Sequence, residues 1–126
     1  MATLTKAEEQ VMQILWDEGE GFVKDLLKHF PEPKPAYNTV STIIRILEKK
    51  GFVDHRSFGK SHQYYPVVSK DRYRNERFST LMKDYFNNSM QQVLSHFGKS
   101  GSLDLKEADE IIKMMEDIKQ KSGNDE

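Results

Sequence analysis

Residues 36–53 read AYNTVSTIIRILEKKGFV. Val40, Ile43, Ile44 and Leu47 recur at helical spacing and, at about 100° per residue, cluster on one side. Asn38, Ser41, Thr42, Arg45 and Lys49 fall on the other, with Thr39 and Ile46 at one border. A helix face that only meets water is usually built from Glu, Lys, Gln and Arg, which favour helix. Asn38, Thr39, Ser41 and Thr42 are weaker helix formers, so tolerating four of them points to another use. A helix of this width fits the major groove of B-DNA, where base edges display distinguishable donors, acceptors and thymine methyls. We therefore expect Asn38, Thr39, Ser41, Thr42 and Arg45 to read bases. Lys49 and Lys50, nearer the C-terminal end, suit backbone phosphates.

The flanking segments supply the context that such a helix needs. Thr5 and Glu8 have the spacing of a capping box, and Ala7, Val11, Ile14 and Leu15 form the stripe of a first helix ended by DEGEG, 17–21. A short second helix over FVKDLLKHF, 22–30, buries Val23, Leu26, Leu27 and Phe30. PEPKP, 31–35, is a stiff connector, because proline lacks the helical donor and hinders the preceding turn. Gly51 ends the third helix. FVDHRSF and HQYYPVV then flank GKS as a hairpin with Gly59 in its turn, and Pro66 puts the second strand at an edge or near its end. Arg56 and Lys60 beside that turn are expected at phosphates, whereas Tyr64 and Tyr65 alternate, one packing inward. The order predicts a winged helix-turn-helix domain over residues 1–70.

Residues 71–122 are helical in pattern and are expected to form a three-helix dimerisation domain, with 123–126 a disordered tail. Phe78, Leu81, Met82 and Tyr85 mark a helix from Lys70 to about Asn87. Met90, Val93, Leu94 and Phe97 mark one from about Ser89 to Phe97, and GKSGS, 98–102, breaks the chain. Ile111, Ile112, Met115 and Ile118 mark the last, from Leu105 to Lys121. Three such helices make a thin core alone. Their wide apolar stripes are best used by pairing with a second copy of the chain, and closed two-fold dimers are the commonest association. The fold class is thus mainly α with a small β-hairpin.

Composition limits the alternatives. The 126 residues carry a net charge of −1, so a nucleic-acid site must be a local patch. Between Lys34 and Lys60 six basic residues meet two acidic ones, a balance of +4, while from Asp71 onward the balance is −2. There is no cysteine, which excludes disulfides, thiol catalysis and thiolate metal sites and fits a cytoplasmic location. No run approaches the roughly 18 apolar residues of a membrane span, so no membrane insertion is expected. Ser95 and His96 are adjacent on a helix and point about 100° apart, so they form no dyad. His29, His55, His62 and His96 are scattered and form no pair at helical spacing, so neither a metal nor another cofactor is expected. A winged-helix protein that binds other proteins, or one controlled by a small ligand between the tail helices, are the competing readings.

LTKAEEQVMQILWDEG at 4–19, AYNTVSTIIRILEKKGFV at 36–53 and the wing GKSHQYYPVVSK at 59–70 together resemble the penicillinase-repressor family of winged-helix regulators of β-lactam resistance genes. The resemblance runs to about Lys121. It implies a homodimer that represses transcription at palindromic operators, with the reading helix on Asn38 to Lys49. It further implies induction by a membrane-bound sensor protease system that ends in cleavage within the dimerisation region. The matching bond is His96–Phe97, where the best-known members have Asn before the Phe. The copper-responsive branch carries cysteine ligands that this chain lacks, and relatives of this architecture regulate other stress genes as well.

Overall fold

The computed structural model describes residues 2–124. Its elements are α1 (Lys6–Glu18), α2 (Val23–Leu26), α3 (Tyr37–Lys49), β1 (Val53–Phe58), β2 (Ser61–Pro66), α4 (Lys70–Phe86), α5 (Met90–Ser100) and α6 (Leu105–Asn124). A 3-10 turn, Leu27–His29, completes what the sequence predicts as one short helix. Two compact units divide within α4, one ending at Phe78 and the other starting at Ser79. The expected boundary at residue 70 falls earlier because the first turns of α4 belong to the N-terminal core. Tyr73 packs its ring 5.7 Å from Trp16 and 5.8 Å from Phe52, and its hydroxyl donates to Glu9 Oε1 at 2.7 Å. That burial and the Glu9 carboxylate push the phenol pKa up to about 12.

The capping box is complete. Thr5 N donates to Glu8 Oε1 at 2.7 Å, and Glu8 N donates to Thr5 Oγ1 at 3.2 Å. Val11, Met12 and Leu15 of α1, Leu26 of α2, and Val40, Ile44 and Leu47 of α3 are almost fully buried and meet in one core with Phe52. Trp16 Nε1 donates to the Val68 carbonyl at 2.9 Å, tying the end of the hairpin back to α1. The strands pair antiparallel from Val53↔Pro66 to Phe58↔Ser61, leaving Gly59 and Lys60 as a two-residue turn with Gly59 at φ +63°. Gly21 adds a feature that its sequence context hides. It bridges Tyr64 through reciprocal N–H to O bonds of 2.9 Å, so a single residue sits beside β2 in the place of a third strand. A Cβ there would lie 2.8 Å from Leu26 Cδ2.

Glu8 is also the one buried charged residue among those described, and its counter-charge is Lys50 Nζ at 2.8 Å. Lys50, expected at DNA phosphate, is thus turned towards α1 and also reaches the Thr3 carbonyl at 3.5 Å. Burial alone would raise the Glu8 pKa, but the Lys50 ammonium and the Thr5 donors hold it below the usual carboxylate value. A depressed carboxylate pKa adds stability above the unfolded pKa, and that stability disappears as pH falls through the folded one. Lys50→Ala is expected to cost about 1–3 kcal/mol in urea unfolding at neutral pH, since it strands a buried carboxylate. The difference from wild type should shrink as Glu8 is protonated below the usual carboxylate range.

In the second unit, α5 passes through Gly98 and stops at Gly101, φ +77°, rather than at Phe97. One glycine costs a helix interior only about 1 kcal/mol, whereas the αL conformation of Gly101 closes it. Ser89 Oγ accepts from Gln92 N at 3.2 Å, and Asp104 Oδ1 accepts from Glu107 N at 2.7 Å, capping α5 and α6. α6 continues past Lys121 to Asn124, into the segment expected to be disordered, while Asp125 and Glu126 of that segment lie outside the described residues. Met82 is the one buried residue described in this unit. Leu81, Tyr85, Met90, Phe97, Ile112, Met115 and Ile118 are all exposed in the single chain, and Val93, Leu94 and Ile111 are half-buried.

Candidate nucleic-acid interface

α3 buries Val40, Ile44 and Leu47 and turns Asn38, Thr39, Thr42, Arg45, Ile46 and Lys49 outward. Its polar face is partly pre-ordered. Thr42 Oγ1 donates to the Asn38 carbonyl at 2.8 Å. Arg45 donates from Nε to the Ser41 carbonyl at 3.3 Å and from Nη2 to the Ser41 hydroxyl at 3.2 Å. Ser41 is half-buried and faces the wing rather than open solvent. Five residues named as base readers therefore divide: Asn38, Thr39, Thr42 and Arg45 are exposed, and Ser41 steadies Arg45.

Between α3 and the wing lies a cleft of about 380 Å³ whose walls include Phe22, Lys24, Tyr37, Arg45, Lys60 and Tyr64. A shallower depression of about 250 Å³ is formed by Thr42, Arg45, Ile46 and Lys49. Arg45 stands on the rim shared by both. Three cations around one cleft make a strong local positive potential within a chain of net charge −1. Lys24 and Tyr37 are not among the residues that the sequence marks for DNA. Tyr37 has a legible signal, since Tyr37, Ser41 and Arg45 follow each other at i, i+4 and i+8 along the wing-facing row.

The wing is braced from both sides. Phe58 meets Phe22 edge-on at 5.9 Å, and Tyr64 is buried, its pKa raised by burial and then by the nearby Glu48 charge. Arg56 lies 4.3 Å over the Tyr65 ring, and its Nη1 pairs with Glu20 Oε2 at 2.8 Å, so this cation already has a carboxylate partner. Lys60, at the tip, is exposed and has no ion pair among those described. At the root of the hairpin, the end of α3 and both strands bring four polar groups together. His55 Nδ1 is hydrogen-bonded to Glu48 Oε2, and Asp54 Oδ1 lies 4.0 Å from the same nitrogen. The His62 ring stacks on His55 with centroids 4.0 Å apart and planes at 9°.

A helix-turn-helix core, an outward polar α3 and a two-stranded wing define a winged-helix DNA-binding regulator. The family model for the penicillinase repressor matches residues 4–117, and the chain belongs to that family. It is 20% identical over 117 residues to the penicillinase repressor of Bacillus licheniformis, covering 92% of this chain and 91% of the relative. To the methicillin resistance regulatory protein MecI of Staphylococcus aureus (strain N315) it is 23% identical over 109 residues, covering 86% and 89%. The solution structure of the DNA-binding domain of the repressor BlaI shares the fold with a TM-score of 0.50 and 24% identity, covering 56% of this chain and 88% of that domain. The family consists of transcriptional repressors, not enzymes, and DNA is its partner. No described helix is long and apolar enough to cross a membrane.

Proposed function

We propose that this chain acts in the cytoplasm as a homodimeric repressor. It reads a palindromic operator with Asn38, Thr39, Thr42 and Arg45 and grips the flanking phosphates with Lys49, Lys60 and the Lys24 side of the cleft. Arg56 joins them by sharing its guanidinium between Glu20 and phosphate, while Ser41 acts through Arg45. The observation that carries the reading is the row of exposed short polar side chains on α3 beside a cationic cleft. The dimer uses the exposed apolar side chains of the second unit, together with Phe78, as its interface. Met82 serves as internal packing, since it is covered within one chain.

Similarity to penicillinase and methicillin-resistance repressors supports β-lactam resistance genes as the targets. A membrane-bound sensor protease system is the antagonist that this reading pairs with them. Cleavage at His96–Phe97 lies inside α5, so the last turns of that helix must open before a protease can act. The cut separates α6 from the elements before it and removes the linkage between two DNA-binding heads.

Two variants test the division of labour on the surface. Arg45→Ala is expected to cost about 1–3 kcal/mol on the operator and far less on random duplex. Lys60→Ala should weaken both alike and lower the slope of log affinity against log salt by about 1. Fluorescence anisotropy titrations on both duplexes at several salt concentrations decide it. Equal losses on specific and random DNA in both variants contradict the assignment.

A further inference from the structure

We propose that Glu48, Asp54 and His55 form a binding site for a divalent first-row metal ion of the zinc type, which joins the end of the reading helix to the root of the wing. Each residue offers one ligand atom, and these atoms all lie within 4.8 Å of one another. Two ligands on one such ion sit about 3–4 Å apart, given metal–ligand bonds of about 2.0–2.2 Å. The Asp54–His55 separation of 4.0 Å already suits that arrangement, and rotation of the Glu48 carboxylate off the imidazole makes room for the ion. One imidazole and two carboxylates are the donor set of Zn²⁺ or Co²⁺ rather than of Mg²⁺, which prefers oxygen alone. The His62 ring, stacked on that of His55, holds the ligand ring in orientation.

A second observation points to a cation here. Glu48 and Asp54 are the only acidic residues between Lys34 and Lys60, the most basic stretch of the chain. No Lys or Arg ion pair is described for either, and each has His55 as its described ion partner. Two carboxylates beside a phosphate-gripping surface oppose DNA, and a divalent ion removes that opposition. The ion also spans the chain reversal at Gly51, φ +86°, between α3 and β1, and so restricts the angle between reading helix and wing. Asp54 and His55 are neighbours at the start of β1, and folding brings Glu48 at the end of α3 to them, which is why helical spacing gives no hint of the group. The site itself stands apart from the proposed reading of DNA, and only its effect on the wing rests on that reading.

The test uses the full chain, stripped of metal and titrated with ZnCl₂ by calorimetry, with CoCl₂ absorption as a second probe of the ligand set. One Zn²⁺ per chain is expected, and Glu48→Gln, Asp54→Asn and His55→Gln should each weaken it by about tenfold or more. Circular dichroism checks that these surface variants remain folded. A His29→Gln/His96→Gln chain should bind as the wild type does. Zinc affinity unchanged in the first three variants, or lost in the His29/His96 control, overturns the proposal. Anisotropy with a random duplex in EDTA, run in parallel, reads the DNA-binding surface independently of the metal. If the metal reaches the wing as proposed, saturating Zn²⁺ raises duplex affinity about threefold or more in the wild type only, and duplex tightens Zn²⁺ by the same factor.

Discussion

Ile112→Glu/Met115→Glu is expected to lower affinity for the full palindrome by about 10²–10⁴-fold while leaving affinity for a single half-site nearly unchanged. Ile112 is 54% and Met115 51% exposed in the single chain, so the glutamates disturb its own packing far less than they disturb the proposed interface. In a dimer they fall within the proposed interface, where two buried carboxylates per chain prevent closure. Linking two heads multiplies affinity by that factor because the second head binds at a high effective concentration. Sedimentation at micromolar protein should show a monomer for the variant and a dimer for the wild type. A variant that stays dimeric, or a monomer that keeps full operator affinity, contradicts the use of this face.

Phe52→Ala is expected to destabilise the N-terminal unit by about 3–5 kcal/mol, the range for truncating a buried phenylalanine. Phe52 is 1% exposed, lies just after the end of α3, and meets Tyr73 edge-on. Its carbonyl accepts from Val67 N at 2.8 Å and its own N–H donates to the Leu47 carbonyl at 2.9 Å, so the same residue joins the end of α3 to the segment just after β2. Domains of this size are stable by only about 5–15 kcal/mol, so the loss removes a large share. The variant should unfold at much lower urea with its DNA binding failing in step, although Phe52 carries no group suited to DNA. Retained stability measured by urea titration would show that the helix–wing junction is held elsewhere.

Much of this architecture is legible from local chemistry. The capping box at Thr5 and Glu8, the stripe of α3, and the glycine of the hairpin turn each depend on residues close in sequence, so spacing alone reveals them. What sequence conceals depends on distant partners. Lys50 reads as a cation at the end of a DNA-facing helix, and only the fold brings the buried Glu8 carboxylate to it. Gly21 reads as part of a loop, and its bridge to Tyr64 needs the hairpin in place. Gly98 and Gly101 look alike within GKSGS, yet one continues α5 and the other closes it, a choice made by backbone conformation rather than composition. Tyr73 falls on a helix expected to serve dimerisation, and its contacts with Trp16, Phe52 and Glu9 assign it to the other unit.

The most direct measurement is a hydroxyl-radical footprint of the full chain on the intergenic DNA next to its own coding sequence. Two protected patches related by two-fold symmetry are expected, with centres about one helical turn or a multiple apart. Protection should fade as salt rises and should vanish first for Arg45→Ala. A single patch, protection without symmetry, or none at protein concentrations where the chain is folded would contradict it.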